Sequence, residues 1–369
     1  MATLETLTSN VFIRTVVSRT ASPLSRFQDF YGLSPGGRFE DDIGGANFGW
    51  DVYDRTRNIA SGRARGTAPV QKTPQTIGTV TGRFYRSAET VPLSYDRIFR
   101  MRPLGSPFGV VDTAGESYIA RQIRTLGERF RNAREFIVAS MFKGGFDILS
   151  DGDDWIPVAS GAGTIAIDFK HPAGNQGTVG GIFAGDWQTH ATAKILKEIL
   201  DLNAFSEQQS GFPIRHAWVN GVGAYHVLQN AEVINLGGSS NQVFTDFGPT
   251  GVVRPDGRQS TDLTFTLRGI PWINWHVYDG GLNVNGSYTK FIPSGKCIFT
   301  PDPDPEWLSW GNGSELVKDH DFDPPHEEYG LYGWRTERAM PANVLLHMLD
   351  NGIAAPKVPT AWYYATIHA

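Results

Sequence analysis

The sequence predicts a mixed α+β chain on three observations: a single apolar stripe at the helical period over 113–143, several short β-prone runs between glycines, and a long basic segment within 47–97. Composition sets the limits. Of 369 residues 40% are apolar and 19% charged, with 42 Gly, 22 Pro, 10 Trp, 12 Tyr and 22 Phe, a globular composition tilted toward strands and turns. A net charge of -5 argues against a dedicated nucleic-acid binder, which needs a broad basic surface. The one cysteine, Cys297, permits no internal disulfide and no thiolate metal cluster; it reads as a small buried hydrophobe in a reducing compartment. The first twenty residues hold no uninterrupted apolar core, and runs such as Val344 to Leu346 are too short to span a bilayer. Neither secretion nor a membrane span is expected.

Taken in order, residues 1–46 carry one apolar segment, Val11 to Val17, followed by Gly/Pro-rich sequence from Ser34 to Gly45, and read as an extended arm. Residues 47–97 read as a long hairpin: polar arms around Ser61 to Thr67 and Pro69 to Pro74, and a return arm from Thr79 to Arg86. Its charge is one-sided, because Arg55, Arg57, Arg63, Arg65, Lys72, Arg83 and Arg86 occur with no acid between the first and the last. A segment of this length without its own apolar core is either disordered or resting on something else, and its one-sided charge favours an acidic partner surface over disorder.

Thr113-Ala114-Gly115-Glu116 is a capping box. Apolar residues follow at Ile119, Ile123, Leu126, Phe130, Ala133, Ile137 and Met141, and Gly144-Gly145 ends the helix. At ~1.5 Å per residue it is roughly 45 Å long. Arg121, Arg124, Glu128, Arg131, Arg134 and Glu135 fall on its other side, so a solvated back is expected, with ion pairs 124/128 and 131/135. Beyond it the pattern predicts a strand over Thr164 to Phe169, a helix over Thr189 to Leu202, a strand over Ile214 to Val219, a turn and cap at Asn220-Gly221, and a helix over Gly223 to Ile234. From Thr264 to Tyr278 the alternation turns Ile273, Trp275 and Val277 inward, and Asn274 and His276 outward. Further strands are expected at Tyr288 to Ile292, Lys296 to Thr300 and Ala361 to Ile367.

Standard catalytic motifs are missing from the sequence: there is no HExxH, GxSxG or GxGxxG, and Gly295-Lys296 lacks both the first glycine and the Ser/Thr of a phosphate loop. Asp319, His320, Asp321, Asp323, His326, Glu327 and Glu328 have the residue types of a hard-metal site. They lie in Asp302 to Glu328, with nine acids, one base and four prolines, which reads more simply as a solvated loop. No catalytic residue, metal ligand or cofactor is therefore assigned.

The order of parts resembles the lambda-type major capsid proteins of tailed bacteriophages, the phage capsid protein E family. Local matches support it: Trp187 before a helix, Val277-Tyr278-Asp279-Gly280, Asn285-Gly286, and Phe291-Ile292-Pro293-Ser294-Gly295-Lys296 before an apolar strand. The resemblance implies the Hong Kong 97 type capsid fold, α+β. Its parts would be an N-terminal arm (1–46), an E-loop hairpin (47–97), a peripheral domain (98–185) with spine helix 113–143, an axial domain (186–335) and a C-terminal return to the peripheral domain (336–369). The acidic stretch 302–328 then looks like an insertion.

What the resemblance implies about function is structural: self-assembly into hexamers and pentamers of an icosahedral shell enclosing double-stranded DNA, held without sequence specificity. Implied partners are further copies of the chain, a scaffolding protein, a portal and a decoration protein, with no membrane; the implied location is the virion capsid, assembled in the host bacterial cytoplasm. On this view Arg55, Arg57, Arg63, Arg65, Lys72, Arg83 and Arg86 make intersubunit contacts, and Ile119, Ile123, Leu126, Phe130, Ile137 and Met141 form the core face of the spine. Two other classes fit parts of the sequence. A carbohydrate-binding β-rich protein would use Trp307 and Trp310 as a stacking platform, and a metal-dependent hydrolase would use the 319–328 cluster.

Overall fold

A computed structural model of the chain describes residues 7–19, 25–45, 47–53, 76–94, 98, 113–151, 154–236, 244–249, 263–267, 269–284, 286–317, 326–338 and 343–368. The N-terminal part holds helices α1 (Asn10–Arg19) and α2 (Arg26–Phe30) and strands β1 (Glu40–Asp42), β2 (Asn47–Tyr53), β3 (Thr76–Arg83) and β4 (Tyr85–Ser94). The long helix α3 (Thr113–Phe142) leads into β5 (Gly145–Asp151), β6 (Asp154–Ala159), β7 (Ile165–Asp168) and the short β8 (Gln176–Gly177). Next come α4 (Ile195–Gln209), β9 (His216–Val219), α5 (Gly221–Gln229), α6 (Ala231–Leu236), β10 (Phe244–Pro249), β11 (Leu263–Leu267) and β12 (Ile270–Val277). The rest is strand: β13 (Gly281–Val284), β14 (Ser287–Lys290), β15 (Lys296–Thr300), β16 (Leu308–Asn312), β17 (Ser314–Val317), β18 (His326–Arg338), β19 (Asn343–Pro356) and β20 (Tyr363–Thr366).

Two large sheets organise these elements. A six-stranded sheet runs β1-β16-β19-β18-β17, with β4 also on β19; a seven-stranded sheet runs β10-β11-β12-β9-β15-β20-β8. A three-stranded sheet β6-β5-β7 follows α3, and β2 and β3 form a hairpin of their own. Each large sheet has a separate apolar cluster. Ile119, Ile123, Leu126 and Phe130 of α3 pack with Ile13 and Val17 of α1 and with Leu346 and Met348 of β19. Trp275, Phe299 and Ile273 of the seven-stranded sheet pack with Ile199 and Leu202 of α4. Between the two lies an aromatic cluster with Phe27, Tyr31, Phe142, Trp218, Trp307 and Trp310. Helix α1 lies close against both its neighbours, since a Cβ on Gly127 of α3 would sit 2.9 Å from Val17, and one on Gly333 of β18 2.7 Å from Ile13. Both glycines are therefore seats for that helix.

The long helix, its stop at Gly144 (φ +100°), and the strands at 165–168, 216–219, 296–300 and 363–366 match the sequence expectation. Asn220 caps α5 by accepting the Gly223 amide at 2.7 Å. Other elements differ. The arm expected to be extended contains α1 and α2, each made helical by the surface it packs on. The helix expected from Thr189 begins at Ile195: Thr189 to Ala193 form turns, and the Leu196 amide is capped by distant Glu232 at 3.0 Å. The helix expected over 223–234 is broken at Asn230, whose backbone is extended (ψ 131°) and whose side chain caps the amides of Glu232 and Val233. His276, expected outside, is buried under Phe30. The stretch 302–328, expected as a solvated loop, supplies β16, β17 and the start of β18, strands of the six-stranded sheet.

Candidate assembly surfaces and the buried charges behind them

The hairpin is paired from Asn47↔Arg83 to Tyr53↔Thr76. Its base is fixed by aromatics: Phe48 stacks on Trp50 at 4.8 Å, Phe84 meets Phe48 edge-on, and the Trp50 indole N–H donates to the Pro356 carbonyl at 3.1 Å. An apolar cleft of about 320 Å³ separates Val80 and Gly82 of β3 from Ile148, Ile165 and Ile167 of the neighbouring three-stranded sheet. Arg55, Arg57, Arg63, Arg65 and Lys72 lie outside the described residues, as does the side chain of Arg83. Arg86, which the resemblance assigns to intersubunit contacts, is half-exposed and pairs within its own chain. Its guanidinium donates to both carboxylate oxygens of Glu315, each at 2.7 Å. That pairing offsets the repulsion between Glu315 and Glu328, which stand directly opposite each other on β17 and β18.

On the long helix, all six core-face residues named from the sequence are buried, from Ile119 at 0% exposed to Phe130 at 2%. The back of the helix divides. Arg121, Arg124 and Arg129 are exposed, and Arg129 reaches Glu89 of β4 at 2.8 Å. Arg131, Arg134 and Glu135, expected in solvent, are 1%, 1% and 0% exposed. The cause is residues 25–40, which cover this end of the helix.

Arg134 donates to both oxygens of Asp350 at 2.6 and 2.7 Å, to Glu40 at 2.6 Å and to the Leu33 carbonyl, with Trp310 beneath its guanidinium. Burial works against this cation, but the two carboxylates outweigh it and hold it above its ordinary range. Arg131 donates to Asp29 at 2.6 Å. Glu135 does not serve a 131/135 surface pair; it accepts from the amides of Phe27 (2.8 Å) and Gln28 (3.0 Å), the Gln28 side chain and the Tyr278 hydroxyl (2.9 Å). Burial still prevails over these donors and pushes its carboxyl up to about 7.

The segment 25–31 also reaches the seven-stranded sheet. Arg26 donates to the Val277 carbonyl at 2.6 Å, the Trp218 indole donates to the Tyr31 hydroxyl, and that hydroxyl bonds Thr300. Phe30 packs edge-on against His216 and His276. The sequence signal for this contact is the run Phe27, Phe30, Tyr31, Leu33, too apolar for a free arm; its partners are more than a hundred residues away and carry no local mark.

Among the described residues nothing assembles the alternative sites. Trp307 and Trp310, offered as a sugar platform, are 0% and 1% exposed. Asp319, His320, Asp321 and Asp323 lie outside the described residues, His326 bonds the Tyr332 hydroxyl at 3.0 Å, and among the described residues no three His, Cys, Asp or Glu converge to hold a metal ion. Cys297 is buried, which pushes its thiol well up and keeps it unreactive.

A family model described as phage major capsid protein E matches residues 41–310. No curated protein matches the sequence. Among solved structures, a phage-related protein from Bordetella bronchiseptica RB50 shares the fold at a TM-score of 0.51 with 9% identity, over 100% of this chain and 98% of its own. A putative prophage capsid protein from Escherichia coli CFT073 aligns over 78% of each chain with 14% identity and a TM-score of 0.44. The mature capsid subunit of bacteriophage PhiM1 aligns over 89% and 84% with 10% identity and a TM-score of 0.42.

Proposed function

Starting from the fact that the chain belongs to the phage major capsid protein E family, we propose that it forms the hexamers and pentamers of an icosahedral shell around double-stranded DNA. Membership makes it a structural capsid protein of the virion with the mixed α+β fold of such subunits, a self-assembling chain and not an enzyme. The observation that carries this reading is the family match over residues 41–310, which takes in the hairpin, the spine and most of the seven-stranded sheet. In our reading residues 1–46 act as arm, 47–97 as E-loop, 98–185 as peripheral domain, 186–335 as axial domain and 336–369 as the return. Scaffold, portal and decoration proteins, and assembly in the host bacterial cytoplasm, belong to the same proposal.

Two physical features support it. The hairpin strands β2 and β3 pair only with each other among the described residues, so a neighbour would supply their outer contacts. A net charge of -5 suits a container, because neutralised phosphates would add salt-dependent grip on the DNA it must release. The test is particle mass by sedimentation and electron microscopy, with closed shells of megadalton scale as the expected result. A protein that stays monomeric under all assembly conditions, with its scaffold supplied, would remove the reading. In this reading Arg55, Arg57, Arg63, Arg65, Lys72, Arg83 and Arg86 make the intersubunit contacts, with Arg86 also pairing Glu315 of its own chain. Changing Arg63 and Arg65 to Glu should leave the subunit folded and lower shell yield; unchanged yield and shell stability would take the hairpin's charge out of the contacts.

A further inference from the structure

We propose that residues 25–31 are a proton-sensitive strap, docked on the seven-stranded sheet at neutral pH and released from it when the His216–His276 pair takes up protons. The geometry permits few proton arrangements. Asp302, as a carboxylate, can only accept, so at 2.9 Å the Nε2 of His216 carries its hydrogen. Neutral His216 then has a bare Nδ1, and at 3.1 Å this accepts the Nε2–H of His276. One added proton can be shared across this contact, but once both imidazoles are protonated N–H is set against N–H and the contact breaks. The pair is 6% and 8% exposed. Its lid is Phe30 of the strap, with ring centroids 4.7 Å from His216 and 5.1 Å from His276, while His276 stacks on Trp218 at 4.2 Å. Charge on either imidazole would therefore be buried while the strap is down and hydrated once it lifts.

The charged groups around the pair come from each element packed on it. Asp302, after β15, favours protonation of His216; Arg215, just before β9, opposes it, and Arg26 on the strap opposes protonation of His276. Burial is the largest influence on both and holds both below the ordinary imidazole range. Lifting the strap restores a pKa near ~6.5, so below that pH each histidine weakens docking by up to about tenfold per pH unit. On the strap's other side Arg131 answers Asp29, and Glu135 acts with the opposite sign. Its carboxyl sits at about 7 while docked and returns toward 4.5 when exposed, so acid strengthens that contact across this window. Two histidines against one carboxyl leave a net release of about tenfold per pH unit below ~6.5.

Hydrogen exchange of the full chain, read by mass spectrometry from pH 7.5 to 5.0 and corrected for intrinsic rates, tests this. Peptides covering 25–33 should lose protection at about that slope, while 119–142 keep theirs. Glu135→Gln should steepen the slope toward a hundredfold per unit. His216→Gln with His276→Phe, which keeps a donor to Asp302 and a ring on Trp218, should reverse it, so that acid tightens the strap. Unchanged wild-type protection across the range overturns the proposal, as does wild-type behaviour in the double variant. If the double variant does not fold, equal slopes for wild type and Glu135→Gln overturn it.

Discussion

The two halves of helix α3 carry the same apolar stripe and end in different surroundings. From Ile119 to Phe130 one face is buried against α1 and the six-stranded sheet, and Arg121, Arg124 and Arg129 stand in solvent. From Arg131 to Phe142 no residue is exposed, because the chain from 25 to 40 lies across the back. In the first half the charges stay exposed, with Arg129 reaching Glu89 of β4 from the solvent side; in the second they are buried and attach other segments to the helix. A long amphipathic helix thus keeps its period throughout while the meaning of its polar face changes at Phe130.

The largest test of that contrast is Arg134→Met. It strands Asp350 and Glu40 without their partner, and removing one member of a buried pair costs about 3–5 kcal/mol. Urea unfolding should show the loss, or the soluble yield should collapse; a drop below 1 kcal/mol would mean the back of the second half is wetter than described. Next is pH. Glu135 is near 7 in the fold against 4.5 ordinarily, so the folded state binds the extra proton and stability falls as pH rises from 4.5 through 7. The size is about 3 kcal/mol, from ~1.4 kcal/mol per unit. Glu135→Gln should flatten that part of the Tm against pH curve, and a curve of unchanged shape would show that the carboxyl titrates normally.

A smaller effect belongs to the first half. Gly127→Leu should push α1 off its seat at a cost of about 1–3 kcal/mol, with faster proteolysis within 10–19 and an intact long helix. Retained protection of α1 would show that its seat is not at Gly127. The smallest is Arg121→Asp, on the exposed back, which should fold like wild type to within about 0.5 kcal/mol. A shift as large as that of Arg134→Met would erase the distinction between the halves.

The same contrast marks how far the sequence could be read. The stripe from Ile119 to Met141, its stop at Gly144 and the Asn220 cap are local, set by period and by side chains within a turn of their effect. The burial of Arg131, Arg134 and Glu135 depends on Asp29, Glu40 and Asp350, and no window around the helix contains them. The start of α4 went the same way, because its cap comes from Glu232. In 302–328 the charge and prolines suggested solvent, yet Trp310 belongs to β16, all five of whose residues are buried, and Trp307 lies buried in the turn that leads into it. The return strand of the hairpin was legible from its β-prone run, while the in-chain partner of Arg86 sits 229 residues away.

The Arg134 clamp also constrains when the subunit can be finished. Asp350 follows Arg134 by 216 residues. At ~5–20 residues per second of synthesis, roughly ten to forty seconds pass between the appearance of the cation and of its second carboxylate. Until then the guanidinium stays hydrated, and the end of the helix that needs it cannot close. Contacts of such sequence separation also make folding slow. A ribosome-bound chain short of Asp350 therefore has an unfinished spine, and the rigid subunit that a shell requires exists only after that residue has emerged.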